Sequence, residues 1–347
     1  MLSEPIITVV LTVFKRTTYL EEAILSVLRQ TFVSFEILVT DDANQPQTRT
    51  ICEKFSSDGR VRYRTNPQTL GAPLNIAAAM RESRGKYIAI LNDDDLLAPQ
   101  ALERLVAPLE RKPEVVLVFG NYKIIDQAGH DLPKATALDM RARRRVGLAS
   151  GVIENAFAFT LRRGVMAVFA CVFRKTACNP AWLIAEVAGA YDYWLAIKIS
   201  TQGAFCFVPE TLMAWRQHAD SVSTRISTDK FCSEVFIYRQ LAGQKLDKES
   251  QAYVRSRLAD SLYWRGREFL MQGWGSIETR AILRESLKTE MHFNVLAGWL
   301  LTFLPAAART ICLRAWRKIQ VMRLASRAEA NSGANDQKYP CFSWSIL

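Results

Sequence analysis

Over the first 120 residues, short β-branched apolar runs alternate with segments whose apolar residues recur at helical spacing. IITVVLTV (6–13) reads as a strand and is too short to cross a bilayer. Thr18-Tyr19-Leu20-Glu21 then has the form of a capping box, and Leu20, Ala23, Ile24, Val27 and Leu28 make one apolar helix face. FEILV (35–39), VRYR (61–64), YIAIL (87–91) and VVLVF (115–119) are further strands. Between them helices are expected over 46–56, from Gly71-Ala72-Pro73, and from Pro99 to 110. Proline near a first helical position is tolerated because its missing N–H has no partner there anyway. A β-α-β-α-β order builds an α/β fold, a mainly parallel sheet with helices on its faces.

Later segments are less regular. Residues 126–165 carry Arg141, Arg143, Arg144 and Arg145 and read as an excursion from the sheet. VFACVFR (168–174), a helix over 191–201 and AFCFV (204–208) return to it, and from about 226 the pattern is helical and basic. The expected organisation is an α/β domain over 1–225, a mainly helical extension over 226–328 and a polar, flexible tail over 329–347. There is no internal repeat.

Two sets of carboxylates break the apolar pattern: Asp41-Asp42 after FEILV, and Asp93-Asp94-Asp95 after YIAIL. Adjacent acids at the end of a core strand repel one another and are costly to bury unpaired. In parallel sheets ligands gather at the carboxyl ends of strands, so the two sets are expected to meet over one crevice. Clustered carboxylates without Cys or His beside them suit a hard divalent cation, Mg²⁺ or Mn²⁺. The plainer reading is that the triplet caps the helix at Pro99.

The net charge of the 347-residue chain is +11, and residues 226–347 carry +7 of it, which suits an anionic partner such as a membrane surface or nucleic acid. The seven cysteines are scattered without a C-x-x-C pair, as expected of buried thiols in a cytoplasmic protein, and the N-terminus lacks a signal-peptide pattern. FNVLAGWLLTFLPAAA (293–308) has 16 uncharged residues, is interrupted by Pro305, and is followed by six basic residues and no acid between Arg309 and Arg327. It falls short of the roughly 20 residues of a spanning helix. A buried helical hairpin and a peripheral membrane contact through 293–327 both fit.

Three blocks, in order, give the chain a family likeness. They are VVLTVFKRTTYLEEAILSVLRQTFVSFEILVTDDAN, GAPLNIAAAMRESRGKYIAILNDDDLLAP and AYDYWLAIKISTQGAFCFVPETLMAWRQHADSVS. From about residue 5 to 225 the chain resembles family 2 of the nucleotide-sugar glycosyltransferases, with the GT-A fold, a Rossmann-like mixed and mainly parallel sheet flanked by helices. The resemblance implies an inverting, metal-dependent transfer of sugar from a nucleotide-diphosphate donor to a glycan or lipid-linked acceptor, in surface polysaccharide synthesis. It implies that Asp42 bonds the donor's base beside the Val13–Phe14 turn, that Asp93 lies near the ribose, and that Asp94 holds the metal, assisted by Asp95. Asp192 would be the general base, with Arg216 and His218 at the diphosphate or metal.

The chain departs from the family at Asn92, Leu74, Tyr191 and Asn44-Gln45-Pro46. Leu74 replaces an arginine, so a diphosphate contact is either lost or supplied by Arg16, Arg81 or Arg84. No Gln-x-x-Arg-Trp motif occurs, which points to one sugar per encounter. A sugar-phosphate nucleotidyltransferase would need a glycine-rich loop where TVFKRTTYL stands, and a nucleic-acid binder would interleave aromatics with its basic residues. Neither pattern is present, and no nucleic acid is expected.

Overall fold

A computed structural model describes residues 4–168, 170–219, 228–271, 276–291 and 293–305, with 308 and 312. The chain divides into two compact units at residue 226.

The first unit is built on β1 (Ile7–Val13), whose Ile7, Val9, Val10, Leu11 and Val13 are all buried. A strand covered on both faces carries a continuous apolar run rather than an alternating one. It lies between β2 (Phe35–Asp41) and β4 (Tyr87–Asn92), parallel to both, and β3 (Val61–Thr65) extends the parallel block beyond β2. The connecting helices are α1 (Leu20–Leu28), α2 (Pro46–Glu53) and α3 (Ala72–Glu82). Beyond β4 come β5 (Leu96–Leu97), α4 (Ala101–Arg111) and β6 (Val115–Ile125). The excursion contains α5 (Pro133–Ala142), β7 (Gly151–Ile153) and α6 (Ala156–Arg163). β8 (Cys171–Arg174), α7 (Tyr191–Ser200) and β9 (Ala204–Arg216) complete the unit.

The nine strands form one mixed sheet in the order β3-β2-β1-β4-β8-β6-β9-β5, with β7 also on β9. β8 runs antiparallel to both β4 and β6, and β6 is parallel to β9. Two antiparallel steps restore the original direction. The carboxyl ends of β1, β2, β4 and β9 therefore share one edge of the sheet, the edge on which strand-end acids were expected.

Some local details differ from the sequence pattern. The capping box does not form: α1 begins after Tyr19, which makes no side-chain cap. Glu21 instead pairs with Lys54 of the α2 connection (2.6 Å), and the Tyr19 ring lies under the Arg216 guanidinium at 4.4 Å. Helix α4 starts two residues beyond Pro99. β6 and β9 run well past their apolar cores, and that extra length carries β9 to the site.

The second unit contains α8 (Thr228–Ala242), α9 (Lys248–Met271), α10 (Ser276–Thr289) and α11 (Phe293–Leu301). Tyr263, Leu270, Leu283 and Val295 form a small core there. At Gly266 an added Cβ would stand 2.7 Å from a Leu283 methyl, so only glycine lets α9 and α10 approach this closely. Among the described residues no helix is long and apolar enough to cross a membrane. The expected tail, 329–347, lies outside the described residues.

Candidate active site

The site begins where β1 ends. Arg16 N donates back to the Phe14 carbonyl (2.8 Å) across Lys15, whose φ is 60°. A three-residue turn about a left-handed centre is a strained γ-turn, and strain of this kind collects at functional positions. The turn leaves the Phe14 ring half exposed and sends Arg16 toward the end of β4.

Asp93 and Asp94 both accept from Arg16 Nη2, at 2.7 and 2.6 Å. Arg16 Nη1 lies 3.0 Å from His218 Nε2, which is itself 3.1 Å from Asp94 Oδ2. Three chain segments separated by up to 202 positions thus converge on one point. Burial and the neighbouring Asp94 charge push the Asp93 carboxyl up to about 7, although Arg16 pulls the other way. Burial opposes the Arg16 charge, but Asp93 and Asp94 outweigh it and raise its pKa. Arg81 and Arg84 are exposed at the C-terminal end of α3, where the chain enters β4, on the opposite edge of the sheet. Of the three arginines considered for the missing contact, only Arg16 reaches the acids.

Asp95 and Arg216 lie beneath this point. Asp95 is fully buried; it accepts from Arg216 N (3.0 Å) and Asn92 Nδ2 (3.1 Å). Burial, then the Asp94 charge, raises its pKa well above the usual carboxylate range. Arg216 is 1% exposed. Its Nε donates to the Asp94 carbonyl (3.0 Å), Nη1 to the Gln127 carbonyl (3.1 Å) and Nη2 to Glu22 (2.7 Å). This differs from the expected donor contact: the guanidinium braces the acid loop from behind. Asp95 likewise supports the loop through its bonds to Arg216 N and Asn92 Nδ2.

Asp42 occupies the neighbouring strand end. Its carboxylate accepts from Asn66 Nδ2 (2.8 Å), Leu70 N (2.9 Å) and Gly71 N (2.8 Å). Gly71, at φ 85°, opens α3 in a conformation that a side chain would strain. Asp42 therefore shapes the 66–71 loop that borders the crevice. Asp41, which sequence reasoning paired with it, takes Ala43 N, Gln45 N and the Tyr63 hydroxyl and closes the turn into α2.

Asp192 stands in the first turn of α7, where its Oδ1 accepts from Tyr193 N (2.8 Å). The adjacent Tyr191 phenol is raised first by burial, then by the charges of Asp192, Asp95 and Asp94. Tyr191 thus lies within electrostatic reach of all three acids. From the excursion, buried Arg143 also senses the Asp192 charge while donating to Asp139 (3.1 Å). Tyr191, Arg143 and Glu22 were not singled out as site residues. The one sequence signal was Tyr191 standing where the resembled family has glutamate.

The donor set suits a divalent cation. Among the described residues no three His, Cys, Asp or Glu side chains gather as a ready cage. Asp94 Oδ2 and His218 Nε2, 3.1 Å apart, could supply two ligands. Mg²⁺ and Mn²⁺ at phosphate-transfer sites commonly take one or two protein ligands and complete their shell with substrate phosphates.

A mixed sheet with acids and bases collected at the carboxyl ends of its strands defines a GT-A type of architecture. Solved structures agree on the fold. TarS of S. aureus, residues 1–349 in complex with UDP-GlcNAc, superposes with a TM-score of 0.62 at 15% identity, covering 90% of this chain and 91% of that one. A mannosyltransferase from Pyrobaculum calidifontis, in complex with GDP-Man and Mn²⁺, gives 0.52 at 14% identity, covering 90% and 86%. Residues 8–169 match the model of Glycosyl transferase family 2. Over 104 residues it is 35% identical to the Escherichia coli UDP-Glc:alpha-D-GlcNAc-diphosphoundecaprenol beta-1,3-glucosyltransferase WfgD, covering 30% of this chain and 40% of the relative. The chain spans about two fifths of the length of such curated relatives.

Proposed function

We propose that the protein is an inverting, metal-dependent glycosyltransferase that moves a single sugar from a nucleotide-diphosphate donor to a glycan or lipid-linked acceptor. The observation that carries this reading is the convergence of Asp93, Asp94, Arg16 and His218 at the strand ends. Asp94 and His218 would hold Mg²⁺ or Mn²⁺, which would supply positive charge for the departing diphosphate. Arg16 offers a planar fork of donors to the same phosphates. Asp93 faces the ribose, and Phe14 flanks the base over the loop that Asp42 shapes. Asp192 takes the proton of the acceptor hydroxyl as that oxygen attacks the sugar. A single base suffices because the nucleotide leaves in the same displacement. The donor class is supported by the nucleotide sugars bound to the two structural neighbours, and a lipid-linked acceptor by the diphosphoundecaprenol substrate in the E. coli relative's name.

A thermal-shift panel of UDP- and GDP-sugars with Mn²⁺ tests the donor. A donor at 100 times its Kd adds about 2.7 kcal/mol, a rise of roughly 5–10 °C for a domain of this size. Asp94→Ala is expected to abolish the rise. If no nucleotide sugar shifts the wild type, or Asp94→Ala shifts equally, the assignment fails.

We infer that the second unit contacts an anionic membrane surface from the cytoplasmic side. α11 buries Val295 and packs Trp299 and Leu301 on the small core, while Leu296 and Leu300 on it, and Phe303 and Leu304 just beyond it, remain at least partly exposed. This combines a packed helix with exposed apolar residues. The basic run from Arg309 to Arg327, mostly outside the described residues, follows it in sequence. Leu300→Glu with Phe303→Glu is expected to weaken binding to anionic vesicles by about 10–100-fold, from the apolar burial lost. Equal sedimentation of variant and wild type would refute the contact.

A further inference from the structure

We propose that Arg16 is a displaceable resident cation. In the donor-free protein it holds Asp93 and Asp94 together, and it yields its place to the divalent ion when a diphosphate is present to receive it. This rests on the metal-dependent transferase reading and extends it to how ion and donor bind.

The contacts around Arg16 are tight but mutually inconsistent. Nη2 spends its donors on Asp93 and Asp94, at 2.7 and 2.6 Å. Nη1 approaches His218 Nε2 at 3.0 Å, and Nε2 also lies 3.1 Å from Asp94 Oδ2. A guanidinium only donates, so the Arg16 contact requires Nε2 to accept. The Asp94 contact requires the same nitrogen to donate. Whichever tautomer is present, one of the two contacts is unmet. Arg16 Nε is buried and has no acceptor. A polar cluster left partly unsatisfied in a low-dielectric setting is poorly held.

A divalent ion removes the conflict, because the Asp94 oxygen and the His218 nitrogen both present lone pairs to it. Arg16 is also placed to leave. It sits on the strained turn about Lys15, and its side chain keeps 23% exposure. Its alternative partner is a diphosphate, which a planar fork of donors binds bidentately. An ion arriving alone must expel Arg16 with nothing to receive it. An ion arriving with a nucleoside diphosphate gives the guanidinium a new partner. Ion and diphosphate therefore strengthen each other's binding, and by linkage they do so equally.

The test measures Mn²⁺ binding to the full-length protein by electron paramagnetic resonance of the free ion, with and without UDP. Without nucleotide, R16Q is expected to bind Mn²⁺ about tenfold more tightly than wild type, within the usual range of coupling between sites. UDP should then enhance Mn²⁺ binding to wild type more than to R16Q. R16K, whose single ammonium cannot span both acids and His218, should fall between the two and serves if R16Q folds poorly. D94N should remove the site in every background. The exchange is overturned if R16Q and R16K bind Mn²⁺ no more tightly than wild type, if UDP enhances all variants equally, or if Mn²⁺ binding ignores D94N. If the expected pattern appears in a protein that transfers no sugar, the transferase reading fails and the exchange stands. If sugar is transferred while wild type and R16Q bind Mn²⁺ equally, the exchange fails and the transferase reading stands.

Discussion

Asp192→Asn is expected to lower sugar transfer by roughly 10²–10⁴-fold while leaving donor affinity within about twofold. The amide nearly matches the carboxylate in shape, and its oxygen can still accept the Tyr193 N–H that Asp192 Oδ1 takes at 2.8 Å. The first turn of α7 should therefore survive. What the amide loses is the capacity to take a proton from the acceptor hydroxyl. The donor contacts proposed above are made by Arg16, Asp93, Asp94 and His218 rather than by Asp192, so the donor should still bind. Single-turnover transfer rates beside calorimetric donor titrations separate the two effects. Transfer within tenfold of wild type would remove Asp192 from the base role.

The fold was legible wherever burial dictates composition. β1 and β4 are covered on both faces, and a strand so placed must be apolar throughout. The α1 face was legible for the same reason: Leu20, Ala23, Ile24 and Val27 are the residues that it buries. The capping box was not, because local spacing cannot show that Glu21 finds Lys54 33 positions away. At the site, two acid groups at strand ends pointed to the edge of the sheet where β2 and β4 finish. Their division of labour stayed hidden. Asp42 and Asp94 look alike in sequence, yet one carries the amides of Leu70 and Gly71 and the other meets His218 from 124 positions on. Arg16 was visible only as one of three arginines, and topology alone separates it from Arg81 and Arg84.

Arg216 shows the same limit and carries the second large effect. A planar fork suits phosphate, which is how the sequence reads, but it suits carbonyl oxygens as well. Here Nε and Nη1 serve the Asp94 and Gln127 carbonyls, and Nη2 serves Glu22. Arg216→Lys keeps the charge but can satisfy only one of these acceptors. Glu22 is largely solvated and loses little. The buried Asp94 carbonyl loses more, about 1–3 kcal/mol if left unmet, whereas the carbonyl of exposed Gln127 can turn to water. The ligand-free protein is then expected to melt roughly 2–12 °C lower, and transfer should fall because the Asp94 loop is no longer braced. Melting without ligand is the discriminating measurement. A variant that melts with the wild type and only binds donor more weakly would place the guanidinium on the diphosphate. A lowered melting temperature without ligand would place it behind the acids, as the geometry has it.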